Sequence, residues 1–178
     1  MSSNTPPGYG PPQEPYGQYP QGAGFPGWLA PPPPPGVQPA PGTRVLAAPV
    51  DRFLARLIDL AVLLIPLIVV NLISPSIFVY YLLAAVVLVG YEGGMLLTQH
   101  GQTVGKKAMK LRVVSAAHGG RPTDNELWTR AGVYGGPGLV PVVGGLFSLV
   151  NCLSLLWDKP LQQCFHDKAA KTLVVKEA

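Results

Sequence analysis

Two acids stand where the sequence is otherwise apolar: Asp59 and Glu92. Asp59 lies two helical turns from Arg52 and three residues from Arg56, so one helix face carries all three. An unpaired Asp at that depth in a bilayer costs about 2.5–3.5 kcal/mol, so it must face protein or water. Asp59 precedes Pro75 by 16 residues and Glu92 follows it by 17, so a hairpin turning there sets both acids at one depth. Two carboxylates in a low-dielectric site share a proton or recruit a cation, which makes Asp59 and Glu92 a candidate ion or proton site. Arg52, Arg56, Lys106 and Arg130 are candidate charge partners that would neutralise them instead. That structural network is the first reading and the transport site the second. Asp59, with basic residues on its own helix, reads as the paired acid. Glu92 has none on its helix and reads as the protonatable one. Gly90, Gly93 and Gly94 would admit a neighbouring backbone there.

No other constellation suggests catalysis. Gly101-Gln102-Thr103-Val104-Gly105-Lys106 is one residue short of a phosphate loop, and Lys107 stands where Ser or Thr should bind magnesium. His100, His118 and His166 are scattered, and His166-Asp167 reads as a local contact docking the C-terminal tail. Cys152 and Cys164 form no Cys-x-x-Cys pair and fit no zinc spacing. No catalytic residue, metal or cofactor is expected, and the chain is not read as an enzyme.

The elements that must position these residues read as an all-α membrane protein with a small β pairing. Hydrophobic residues make up 48% of the 178 and charged residues only 12%, about half the share usual in a soluble domain. Residues 1–49 hold 15 of the 21 prolines and are expected to be a disordered Pro/Gly/Tyr-rich tail. A spacer is the plainer reading of that tail, and docking to proline-recognising modules the functional one. No Lys or Arg precedes Arg44, so no cleaved signal peptide is expected.

Phe53–Ile73 and Ile77–Thr98 are each long enough to span a bilayer and form a helical hairpin through Ser74-Pro75-Ser76, with a bend at Pro66. Leu111–Val114 and Leu173–Val175 are strand-like and too short to stand alone, so they are expected to pair. Thr123 with Glu126 predicts a capping box and a helix from Asp124. A third apolar segment, Ala131–Trp157, is too short for two crossings. All 13 Lys and Arg fall in Arg44–Arg56, Lys106–Arg130 and Lys159–Lys176. That bias puts the N-terminus and the 99–130 loop in the cytoplasm and makes the third segment re-entrant, turning near Pro141–Gly145. One crossing, with the C-terminus outside, is the alternative. The net charge of +4 belongs to these membrane edges rather than to a nucleic-acid surface.

Arg52-x2-Ala55-x2-Ile58-Asp59, Gly101-Gln102-Thr103-x-Gly105-Lys106, Leu111-Arg112-Val113-Val114 and His166-Asp167-x4-Thr172-x-Val174-Val175 together resemble the RDD family of bacterial membrane proteins, over about residues 50–176. The family's one Arg and two Asp fall on Arg52, Asp59 and Asp167, with Asp158 the lesser candidate for the third. Lys171 departs from the small residue, such as Gly, that is more usual there. The resemblance implies an RDD-like transmembrane domain over 50–178, multi-pass in a bacterial cell membrane. The molecular role it implies is largely undefined. The preferred function is a non-catalytic membrane adaptor or assembly factor. The alternative is a subunit of an oligomeric cation, proton or small-solute transporter. The expected partners are the lipid bilayer and a second copy or a membrane partner protein.

Overall fold

A computed structural model describes residues 25–33 and 42–177. Most of residues 1–49 therefore lies outside the described part. Helix α1 spans Pro49–Ile73 and α2 spans Ile77–Thr98, joined by the short turn at Pro75. α1 starts four residues before the expected Phe53, because Pro49 fits the first turn, where an N–H has no helical partner. It continues through Pro66. Both helices are long and apolar enough to cross a membrane, and only 22% of each apolar window is buried. Ile65, Leu72 and Phe78 are more than 70% exposed. A soluble core helix would hide such side chains, so the exposed apolar hairpin is that of a membrane protein.

Four strands form one sheet in the order β1 (Leu29–Ala30), β2 (Arg44–Leu46), β4 (Thr172–Lys176), β3 (Leu111–Ser115). β3 and β4 pair antiparallel over five residues, with Val113 opposite Val174 and Val114 opposite Leu173, as their patterning predicts. The expectation of disorder up to residue 49 needs correction at two places. β1 pairs parallel with β2, and β2 pairs antiparallel with β4. Proline-rich composition hid two short apolar runs, Trp28-Leu29-Ala30 and Val45-Leu46-Ala47. Each buries against the sheet.

The sheet has two apolar faces. Leu111, Val113 and Val174 pack with Ala55 of α1, Leu96 of α2 and Leu127 of α4, which joins the sheet to the ends of the hairpin. Val114, Leu173 and Val175 pack with Leu29, Leu46, Trp28 and Phe25 on the other face. Helix α4 (Asp124–Gly135) begins with the expected capping box: Glu126 N–H donates to Thr123 Oγ1 (3.3 Å), and Thr123 N–H donates to Glu126 Oε2 (2.7 Å). Of the three glycines expected to admit a neighbour, Gly93 does. A Cβ there would meet the Trp128 ring of α4 at 2.5 Å.

The third apolar segment is broken. After α4, a tight turn over Gly136–Leu139 leads through Pro141 and Val142 into α5 (Val143–Leu153). A Cβ on Gly144 would lie 2.2 Å from the Pro137 carbonyl oxygen, so α5 packs directly against that turn. Two short helices complete the fold: α3 (Val104–Ala108) before β3, and α6 (Phe165–Ala169) before β4.

Candidate functional site

The charged residues converge where α1, α2, α3, α4 and α6 meet the sheet. Asp59 is 1% exposed. It accepts from the Tyr91 hydroxyl (2.7 Å), the Thr103 hydroxyl (2.6 Å) and the Gly105 backbone N–H (2.7 Å). Thr103 and Gly105 come from the loop that mimics a phosphate loop. Its backbone and hydroxyl do hold an anion, but the anion is the chain's own Asp59. Gly105 is required there because a Cβ would lie 1.9 Å from the Ala55 carbonyl oxygen. That close approach puts α3 against α1.

Glu92 is fully buried and meets three cations. Lys106 Nζ lies 3.0 Å from Oε1, Arg130 Nε 3.4 Å from Oε1, and Arg56 Nη1 3.1 Å from Oε2. The Arg56 guanidinium carbon also lies over the Tyr134 ring, 3.9 Å from its centroid. Lys106 Nζ reaches Thr103 Oγ1 at 3.4 Å, so the Asp59 and Glu92 sites are linked through Lys106 and Thr103.

This inverts the expected division of labour. The cations taken as partners for both acids gather on Glu92, while Asp59 is held by neutral donors. The reason is the α1–α2 hairpin: Arg56 points across to α2 rather than along its own helix. Arg52 does not pair with Asp59 either. Its Nη1 donates to Gln162 O (2.6 Å) and its Nη2 to Val174 O (3.0 Å), with Asp167 3.8 Å away.

Asp167 is the third acid of the cluster. It takes a short charged hydrogen bond from Arg130 Nη1, and Oδ2 accepts from the Cys164 N–H at 3.0 Å. Asp158 stands apart, paired with Lys168. Arg130 is 1% exposed and joins Glu92 to Asp167, with Thr172 Oγ1 at 3.1 Å. Tyr91, Thr103, Gly105, Tyr134, Asn151 and Thr172 were not singled out as site residues from sequence. Only Thr103, Gly105 and Thr172 carried a signal, within the quoted motifs.

The electrostatics follow from burial and neighbours. Burial pulls Lys106 down, with Arg56 and Arg130 adding to the pull and Glu92 opposing it. Burial also pulls Arg130 down, but Asp167 and Glu92 more than offset it, and the net shift is upward. Burial works against the Asp167 carboxylate, yet Arg130, His166 and Arg52 hold it well below the usual carboxylate range. Burial pushes His166 down to about 3 and Cys164 up to about 12. Cys164, His166 and Asp167 place one ligand atom each within 4.8 Å of one another, the spacing of a metal set. Arg130 and the Cys164 N–H already occupy the Asp167 oxygens, and Arg52 stands beside them. A divalent ion there would face two guanidinium groups and a protonated thiol.

No curated protein and no solved structure matches the chain significantly. The sequence model of the RDD family matches residues 46–171, well over half of the chain. That stretch runs from β2 to the turn before β4 and contains the whole α1–α2 hairpin, Arg52, Asp59 and Asp167. With the motifs matched in order and their residues converging on one buried cluster, the chain belongs to the RDD family.

Proposed function

We propose that this chain is a non-catalytic membrane adaptor or assembly factor, with a rigid, charge-locked RDD domain as its anchor. The observation that carries the reading is saturation of the acids. Asp59 accepts three hydrogen bonds, Glu92 meets three cations, and Asp167 is held by Arg130, Arg52 and a backbone N–H. A site that takes up and releases cations needs carboxylate oxygens free to change partners. Here each would first have to lose a hydrogen bond or an ion pair. Among the described residues the Cys164 thiol, the His166 ring and Asp167 come within 4.8 Å of one another, but burial pushes the thiol up to about 12 and the Asp167 oxygens are already bonded, so the geometry gives an enzyme activity no support.

In this reading the cluster and sheet lie on the cytoplasmic side of a bacterial plasma membrane, in keeping with the Lys and Arg distribution. Two contacts support a re-entrant third segment. Arg130, before it, bonds Asp167, and Asn151, near its end, bonds the His166 ring and backbone N–H (3.0 and 3.2 Å). The segment thus leaves and returns to the same cluster. The proline run 31–35 follows β1 directly in the sequence and precedes β2, and both strands belong to this sheet, which suits the tail to partner docking.

The test is ion flux into proteoliposomes carrying the purified protein. The expected result is no sodium, potassium or proton flux above empty vesicles; gradient-driven flux would establish the transport reading instead. Removing residues 1–24, which spares β1 and the 31–35 proline run, should leave the fold and the melting temperature unchanged. Cysteines introduced at His118 and Lys168 should both resist an impermeant reagent in intact cells, and labelling of either would overturn the topology.

A further inference from the structure

The cluster does not balance its own charge. Arg52, Arg56, Lys106 and Arg130 carry four positive charges, against three negative charges on Asp59, Glu92 and Asp167. Arg52, Lys106 and Arg130 are buried and the Arg56 side chain is 19% exposed, so solvent screens the excess only through Arg56. A cavity of about 50 Å³ lies between α1, α3, α4 and α6, and all four cations line it, together with Asp59, Asp167 and His166. That volume suits a few water-sized occupants, roughly three to five.

Hydrogen bonding points the same way. The Arg52 Nε–H is buried and has no partner among the described residues, although both Nη atoms of that guanidinium are satisfied. The Asn151 Nδ2, beside His166 but outside the cavity wall, is a second buried donor without a partner among the described residues. Its amide orientation is fixed, because Oδ1 accepts from the His166 backbone N–H. Burying a donor unpaired is costly, and the Arg52 Nε–H, whose residue lines the cavity, requires an acceptor there. Water would satisfy it without touching the charge.

We propose that this cavity binds one small inorganic monovalent anion, of chloride size, as the counter-ion that the fold itself does not supply. The class follows from the site: one excess charge calls for a monovalent ion, and the volume excludes a metabolite or a lipid headgroup. The site is independent of the adaptor reading. It would hold equally for a transporter, with the anion as a structural ion.

The experiment uses the full chain in a non-ionic detergent free of anionic lipid. Sodium chloride is exchanged for sodium gluconate at constant ionic strength, and the melting temperature is recorded. Gluconate is too large for the cavity, so screening stays constant while site occupancy changes. The expected result is a saturable rise with chloride, roughly 5–10 °C at a hundredfold excess over Kd. Bromide should substitute, with bromide NMR line broadening that chloride competes away. Arg52→Lys keeps the charge but loses the Nε–H, and should move the chloride midpoint tenfold or more upward. Lys106→Met removes the excess charge and should abolish the dependence. Identical wild-type melting curves in chloride and gluconate, with no bromide broadening, would overturn the proposal; the cluster would then reach neutrality by proton release from Lys106. Full chloride dependence in a folded Lys106→Met protein would overturn it as well.

Discussion

Replacing Glu92 with Gln should damage the protein more than replacing Asp59 with Asn, and the two contact sets give the size of the difference. Among the described residues Glu92 is the anion that pairs directly with Lys106 and Arg56, at 3.0 and 3.1 Å, and it shares Arg130 with Asp167. At an effective dielectric constant of 20, a unit pair about 4 Å apart interacts by about 4 kcal/mol, and removing one partner of a buried pair costs about 3–5 kcal/mol. Glu92→Gln keeps the volume but leaves three cations facing one another, so about 3–5 kcal/mol is expected.

Asp59→Asn keeps an acceptor oxygen for Tyr91 and the Gly105 N–H, both of which bond Oδ1. Its new amide hydrogens fall at Oδ2, where the Thr103 hydroxyl can turn and accept. Only the charge assistance is lost, about 1–3 kcal/mol. The assay is reversible unfolding in mixed micelles, with Lys106→Met added to each variant. Lys106→Met should partly rescue Glu92→Gln and should not rescue Asp59→Asn. Equal losses, or a larger loss for Asp59→Asn, would refute the assignment of Glu92 as the anion that holds the cations.

Gly105→Ala should prevent folding, since its Cβ would strike the Ala55 carbonyl at 1.9 Å, whereas Gly90→Ala, with open space around it, should express and melt like wild type. The acid limb of stability should begin early because of His166. Its pKa falls from 6.5 in the open chain to about 3, so its contribution is complete above 6.5 and drains away as pH falls towards 3. Asp167, held low, unloads only below its open-chain value of 3.8. His166→Gln should therefore flatten the melting temperature between pH 6.5 and 4 and leave the limb below it. Lys171 sits at φ 51, in the left-handed region, pinned by hydrogen bonds to Lys168 and Ala116. Lys171→Gly should raise stability by up to about 1 kcal/mol in the same unfolding assay, and a loss would show that the turn is not strained.

The hairpin, the Thr123 capping box and the β3–β4 pairing were legible because each rests on local pattern: apolar length, a four-residue signature and short β-branched runs. Of the cluster, Arg52, Arg56, Asp59, Glu92, Lys106 and Arg130 could be named from the sequence, since ionisable residues in apolar sequence have few places to go, whereas Asp167 came only with the family resemblance and the neutral donors Tyr91, Thr103 and Asn151 were not named. Who pairs with whom was not legible. Spacing along α1 suggested Arg56 with Asp59, but across the hairpin Arg56 Nη1 meets Glu92 Oε2 at 3.1 Å. The role of the 101–106 loop was hidden because the motif resembles a phosphate loop and its anion comes from 46 residues earlier. β1 and β2 were missed because two or three apolar residues among prolines fall below any periodic signal. Their pairing depends on β4, more than a hundred residues away.

The central place of β4 has a consequence in time. β2 and β3 both pair with it, and Asp167 lies just before it. Asp59 and Glu92 enter the bilayer with α1 and α2 while several of their partners are still unmade: Thr103, Gly105 and Lys106 follow, then Arg130, whose other carboxylate, Asp167, comes last. At roughly 5–20 residues per second, the interval from Asp59 to Asp167 is about 5–20 s. Until it ends, Arg52 and, once made, Arg130 lack the Asp167 carboxylate, and β2 and then β3 wait for the strand that joins them. A copy cut short before residue 167 stays in that state permanently, differing from the finished protein in charge at the membrane edge as well as in shape.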